Sequence, residues 1–358
     1  MRRRCPRAPD HLEPAPAPHV SSRLRAVTPA PSLDVRGPSP ASPGGAPLAP
    51  RPRRVDYLLA VAVGVAAAPA TMVLLGTASS LAAADRLPLA VLHLALALTV
   101  CAAAQWFFAV RSSLGGLAAG LVALVAQVAV LLSPQGSQSA PTPWARTFIP
   151  TGTLLIAAGV LLGGSWGMRY ARRAGRDDAR LAVRLTAADR TMGVTPSAPP
   201  SRRRDHGMSL IVTAATTVAA LALLQHGYAD LVGPLGDSAS PVDSLTTLGA
   251  LVLLALGAFV TGRSTLGARA TGPLLGLAGL PALLGGARPA VPGTEALVRW
   301  LPHDPTGVGL IATGILLTTV GWGAHLARHR SRAEELVGLR SVEPTTPALG
   351  AAHSQEAS

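Results

Sequence analysis

The sequence predicts an all-α integral membrane protein. It reads as eight transmembrane helices in two parallel four-helix repeats of the same orientation, with disordered cytoplasmic termini. Three observations predict this. Apolar residues, 49 % of the 358 positions, fall in runs of about 20, the length that crosses a hydrocarbon core of about 30 Å. Polar signatures recur in the same order in the two halves of the chain. Arginine gathers in alternate connections, as it does beside the cytoplasmic ends of membrane helices.

Residues 1–54 are rich in Pro, Ala, Ser and Arg and lack apolar periodicity. Such a segment buries too little surface to offset its chain entropy, so a disordered basic cytoplasmic tail is expected. The first four-helix repeat is expected at 55–168. Its first span, 57–80, follows Arg51, Arg53 and Arg54 and carries Pro69 near its middle. Ala82-Ala83-Ala84 resembles a signal-peptidase site, but the apolar run is too long for a usual signal core. A matching basic stretch, Arg202 to Asp205, precedes an internal span, which favours a retained first helix.

The second span, 88–110, is joined by Arg111-Ser112-Ser113 to the third, 114–132. A polar loop, 133–147, leads to the fourth, 148–168. Residues 169–207 form a basic cytoplasmic connector, in which 170–190 can extend the fourth helix and the Pro-rich stretch 195–201 breaks it. The second repeat, 208–330, has spans at 208–230, 244–262, 266–286 and 305–326. The third of these is the least regular, with Gly272-Pro273, Gly279, Pro281 and Gly285-Gly286. Residues 331–358 are a polar cytoplasmic tail, helical at most in its first turns.

The repeat rests on residues that are not apolar filler. Arg111-Ser112-Ser113-Leu114-Gly115 returns as Arg263-Ser264-Thr265-Leu266-Gly267. Trp144 with Pro150-Thr151-Gly152 returns as Trp300 with Pro305-Thr306-Gly307, and Trp166-Gly167 as Trp322-Gly323. Aligning 150–162 with 305–317 gives nine identities in 13 positions. Four spans per copy is an even number, so both copies enter and leave on one side, and a pseudo-two-fold axis along the membrane normal is expected.

All basic side chains are arginine; there is no lysine. With the N-terminus inside, 27 of the 31 Arg fall on inner segments and four outside, which places both termini in the cytoplasm. The arginine-only, Ala-, Gly- and Pro-rich composition reflects GC-rich coding and points to a bacterial cell membrane. The net charge of +13 is explained by topology and anionic inner-leaflet lipids, not by nucleic acid. All five Trp fall near span ends or in outer loops, as interfacial anchors do.

Each candidate site has a plain structural role beside the functional one. Arg111 and Arg263, at the repeated inner turns, can snorkel to headgroups while the serines cap the next helix, or can form symmetric anion contacts. Arg269 stands opposite Leu117 and breaks that symmetry. Pro-Thr-Gly suits a helix start; the alternative is an outer anion site at the helix N-terminus.

Gln105, Gln127, Gln225 and His226 are the polar groups within the spans, and His93 joins them nearer the outer end. If the chain transports, Gln105, Gln127, Gln225 and His226 face a central cavity; facing lipid or sealed in dry helix contacts, they do not line a path. No Asp or Glu lies mid-span, which speaks against proton-coupled transport. His93, His226 and His303 map outward with Asp85, Asp230, Asp237, Asp243, Glu295 and Asp304, but these histidines lack metal-ligand spacing.

Arg172, Arg176, Arg180 and Arg184 recur every four residues and form a basic stalk on one helix face, fit for anionic lipid or an acidic protein partner. Small residues, Gly116 with Gly120, Gly159 with Gly163 and Gly167, and Gly272 with Gly276, suit close helix contact within the bundle or with a second copy.

Cys5 and Cys101 fall in different environments, so no disulfide or metal site is expected. No nucleophile motif or phosphate loop occurs, and no cofactor is expected. The expectation is a non-enzymatic membrane protein that organises the envelope or binds a partner. The alternatives are a transporter or channel with its path between the repeats, and a membrane-embedded enzyme.

Overall fold

The computed structural model describes residues 53–133, 135–193, 203–232, 240–285, 304 and 306–342. The expected tails, apart from Arg53 and Arg54 and 331–342, lie outside these residues. So do the outer segment 286–303, with Glu295, Trp300 and His303, and Asp237. The regular structure is helical. In chain order the helices are α1 (Arg53–Ala83), α2 (Leu87–Val110), α3 (Leu114–Leu131), the short α4 (Pro143–Phe148), α5 (Thr153–Met192), α6 (Arg203–Val232), α7 (Pro241–Phe259), α8 (Leu266–Gly285) and α9 (Val308–Val342).

Local chemistry sets the helix starts. α2 and α7 open with proline in the first turn, where its missing N–H is not needed. At α7, the Ser240 hydroxyl accepts from the Asp243 amide while the Asp243 carboxylate accepts from the Ser240 amide, a reciprocal cap. α5 and α9 each follow a glycine in the left-handed region, Gly152 at φ 76° and Gly307 at φ 65°. This gives the glycine of both Pro-Thr-Gly copies a reason: a side chain there would be strained.

The fourth span extends as its sequence allows, and the last helix runs further than expected. α5 starts five residues late, after α4 and a short 3-10 turn over Ile149–Thr151, and then continues unbroken to Met192. The stretch 169–192 is rich in Arg, Ala and Leu, good helix formers without a proline, so charge does not end the helix. It ends at Gly193, φ 65°. α9 likewise continues to Val342, supported by an Arg330–Glu334 pair four residues apart.

Among the described residues, seven helices are long and apolar enough to cross a membrane. They mark the chain as a multi-pass membrane protein. α8 is not in that set, although it has the length: Arg269, Pro273 and Pro281 dilute its hydropathy. The expected eight spans are therefore seven by composition.

α5 and α9 form the centre. In each, 78 % of the apolar stretch is buried, against 22–39 % in the other five spans. α5 packs on α9, α3 and α7, and α9 packs also on α8 and α2. α1 packs on α2 and α3, and α6 on α7 and α8. The outer helices leave large apolar side chains exposed, among them Leu58, Leu92, Val125, Ile211, Leu245 and Leu274. So many exposed large apolar side chains on bilayer-length helices suit a lipid surround.

Association in lipid relies on close contact of small side chains. A Cβ at Gly163 would collide with the backbone of Ala255 on α7. One at Gly272 would lie 2.7 Å from the Thr318 amide and 2.8 Å from the Gly314 carbonyl on α9. The other small residues at this spacing also meet neighbouring helices of the bundle; a Cβ on Gly276 would meet open space, although its backbone lies against Gly314 of α9.

Candidate functional site

The polar groups expected to line a path differ in burial and in partners. Gln127 is fully buried and accepts a hydrogen bond from the Tyr228 hydroxyl at 2.7 Å, while that hydroxyl also donates to the Ile149 carbonyl. Gln105 lies against Gly323 and lines a cavity of about 20 Å³ with Thr71 and Cys101. That is room for about one water. Gln225 is half-buried on α6, with its carbonyl oxygen unpaired. His226 is exposed and His93 half-buried, each bonding a carbonyl of its own helix, Ala222 and Leu89.

At the end of the bundle where α9 starts, Asp304 is buried and accepts from the Gly309 amide at 2.8 Å and the Leu310 amide at 3.4 Å. The N-terminus of α9 thus holds a carboxylate of the chain itself, at the helix start for which a bound anion was the alternative reading. Burial pushes the Asp304 carboxyl above its ordinary value, opposed by these amides and the Thr306 hydroxyl. Asp243 is taken up by its cap. Among the described residues, no three His, Cys, Asp or Glu side chains come together to hold a metal.

The repeated Arg-Ser-[Ser/Thr]-Leu-Gly turns lie at the opposite end. In both, the first serine caps the following helix: Ser112 Oγ accepts from the Leu114 amide at 3.2 Å, and Ser264 Oγ from the Leu266 amide at 3.3 Å. In the first turn, Arg111 pairs with Asp56 on α1. Arg169 donates to Ser113 Oγ at 3.2 Å, and Arg172 donates to the carbonyls of Phe108 and Ala109 at the end of α2. In the second turn, Arg263 is exposed, and its carbonyl accepts from Arg328.

Beyond that turn lies a cavity of about 480 Å³ between α5, α6, α8 and α9. Ser264, Thr265 and Leu266 bring the start of α8 to it, and Leu181 and Leu185 of α5 supply an apolar wall. His206 at the start of α6 shares a hydrogen bond with Ser264 Oγ at 2.7 Å. His325 and His329 lie four residues apart on α9, their ring centres 4.3 Å apart. Arg269 rests over the face of Trp322 at 4.2 Å, a cation–π contact. Arg328 pairs with Asp178 at 3.0 Å. Arg332 completes the lining at an exposed position.

Of the stalk arginines, Arg172 is tied to the end of α2, and Arg180 pairs with Glu335 of α9 at 2.8 Å. Arg176 and Arg184 are exposed. Gly175 lets the backbone of α9 approach at Arg328, so the ends of α5 and α9 form a paired stalk.

His206, His325, His329, Arg328 and Arg332 do not stand out as site residues in the sequence. The legible signal is the His325-x-x-x-His329 spacing, which puts two imidazoles on one helix face. Arg269 stands out there only as a break in symmetry.

The fold and this polar end define a multi-pass helical membrane protein with its charged chemistry gathered beyond one end of the bundle. No known protein family, no curated protein and no solved structure matches this chain.

Proposed function

We propose that the chain is a non-enzymatic protein of the bacterial inner membrane that binds an acidic protein partner at its cytoplasmic face. The observation that carries this reading is the unbroken run of α5 from the bundle core to Met192. Trp166 stands where the apolar part of α5 ends. Arg184 lies about 27 Å further along the helix by its rise per residue. That exceeds a Debye length of roughly 8–10 Å, so Arg180 and Arg184 on an upright stalk reach past leaflet charge toward a protein. Arg172 remains at the level of anionic headgroups. A transport path receives no comparable support: Gln105 lines a cavity with room for about one water, and His226 bonds its own helix.

The reading includes two same-orientation repeats of four membrane helices, with both termini in the cytoplasm. Helix packing supports the repeats. Exchanging α1 with α6, α2 with α7, α3 with α8 and α5 with α9 turns α1–α2 into α6–α7 and α1–α3 into α6–α8. It also turns α3–α5 into α8–α9 and α5–α7 into α9–α2, and leaves α5–α9 unchanged. On this reading α8 is a membrane helix by its place in the packing, with Arg269 at its inner end.

The test is purification in mild detergent with mass spectrometry of what is retained. A protein partner is expected whose recovery falls in high salt and in a variant carrying Arg176→Gln, Arg180→Gln and Arg184→Gln. Recovery unchanged by both would remove the proposal.

A further inference from the structure

We infer that the cavity at the inner end of the second half binds a phosphate-bearing group attached to an apolar or uncharged body. Its volume of about 480 Å³ lies within the range of small-molecule sites. The charge balance sets the sign of the ligand. Asp178 is paired with Arg328. Arg269 and Arg332, also at the cavity, have no carboxylate partner among the described residues. Three guanidinium groups on one cavity repel a divalent metal ion, so the three imidazoles serve as anion donors and not as its ligands.

The geometry favours phosphate over other anions. The start of α8 lies at the cavity and presents the positive end of the helix dipole. Arginine adds forked donors that match phosphate oxygens. Arg269 is held against Trp322, so it loses little freedom when an anion binds. Leu181, Leu185 and Leu266 supply an apolar side, which a bare inorganic ion would leave empty. The shared chemistry of an anionic phospholipid headgroup and a soluble phosphate ester satisfies all of this.

The first half acts as an internal control. There Leu117 stands where the second half has Arg269, and Arg169, aligned with His325, donates to Ser113. Arg172, aligned with Arg328, is tied to two carbonyls. The cations that would meet a ligand are already satisfied by the chain.

The test uses the full chain in nanodiscs. In phosphatidylcholine discs, inorganic phosphate is titrated by calorimetry; in discs with added phosphatidylglycerol, retained lipid is measured by native mass spectrometry. Arg269→Leu and Arg332→Gln are expected to weaken phosphate binding, or phosphatidylglycerol retention, at least tenfold. Arg176→Gln, on the stalk away from the cavity, is expected to leave both unchanged. Retention of phosphatidylglycerol alone assigns a lipid headgroup; binding of free phosphate alone assigns a soluble ester; either supports the inference. Arg332 is exposed, so its variant keeps the test open should Arg269→Leu fail to fold. The inference is overturned if the wild-type chain holds neither probe, or if both cavity variants match it. Failure here leaves the stalk proposal untouched, because the stalk triple variant spares the cavity.

Discussion

In the first half, the inner turn between α2 and α3 is closed by the chain's own groups. Arg111 meets Asp56, Arg169 meets Ser113, and Arg172 meets the last carbonyls of α2. In the second half, the same turn leads into α8 with the same serine cap, but the surrounding cations differ. Arg269 replaces an apolar residue, His325 replaces an arginine, and Arg328 turns to Asp178 of α5. One end is filled and the other holds a cavity. The comparison separates what the recurring motif does, which is to turn and cap a helix, from what the residues around it do. Specific chemistry lies where the two halves disagree.

The largest expected effect tests whether the halves are built alike. Gly120 on α3 and Gly272 on α8 occupy aligned positions, each against the central helix of its half. A Cβ at Gly120 would lie 2.8 Å from the Leu162 side chain and 2.9 Å from its amide; at Gly272 it would crowd Thr318 and Gly314. Backbone cannot yield as a flexible side chain can, so Gly120→Val and Gly272→Val are each expected to cost about 3 kcal/mol, the upper end for overpacking. Unfolding in a denaturing detergent titration measures both. A loss confined to one half would break the structural equivalence.

A smaller effect sharpens the comparison at the outer end. Asp304 caps α9, while the aligned position before α5 is Ile149, and there Thr151 and Thr153 share a hydrogen bond instead. Asp304→Ala is expected to destabilise by about 1–3 kcal/mol, the cost of a lost cap with buried amides left unpaired. Burial raises the folded-state pKa of this carboxyl. Its contribution is therefore fullest below the ordinary carboxylate value of about 3.9 and declines as pH rises through the folded value. Asp304→Asn keeps an acceptor without the charge, so it should flatten that slope, lying near the parent at low pH and at or above it at neutral pH. Thermal midpoints of the three proteins across pH 3–8 (set by roughly where carboxylates titrate) decide it; a slope that persists in Asp304→Asn assigns it to another group.

The membrane helices were legible because a soluble fold seldom needs apolar runs of bilayer length. The continuation of α5 was less so, since residues 169–192 are charged and their helix is supported from outside by α9 through Glu335 and Arg328. The contact of Tyr228 with Gln127, 101 residues apart, leaves no local trace. The cavity was hidden for the same reason, because its walls come from four helices. The sequence shows the repeated serine turn and the extra Arg269, but does not single out the two histidines at helical spacing.

The smallest expected effect concerns the filled end. Arg111 and Asp56 are both partly exposed, with side chains 32 % and 27 % accessible. An ion pair so placed is screened and contributes at most about 1 kcal/mol. A double-mutant cycle of Arg111→Gln with Asp56→Asn should return a coupling below that, and both variants should bind phosphate as the parent does. A coupling of about 2 kcal/mol or more would fall outside the range of exposed pairs and make this turn a strained or buried element, unlike its counterpart. Altered phosphate binding in Arg111→Gln would have a different meaning. It would move the anion contact to the first half and dissolve the contrast between a closed end and an open one, because Arg111 lies at the turn whose cations are satisfied within the chain.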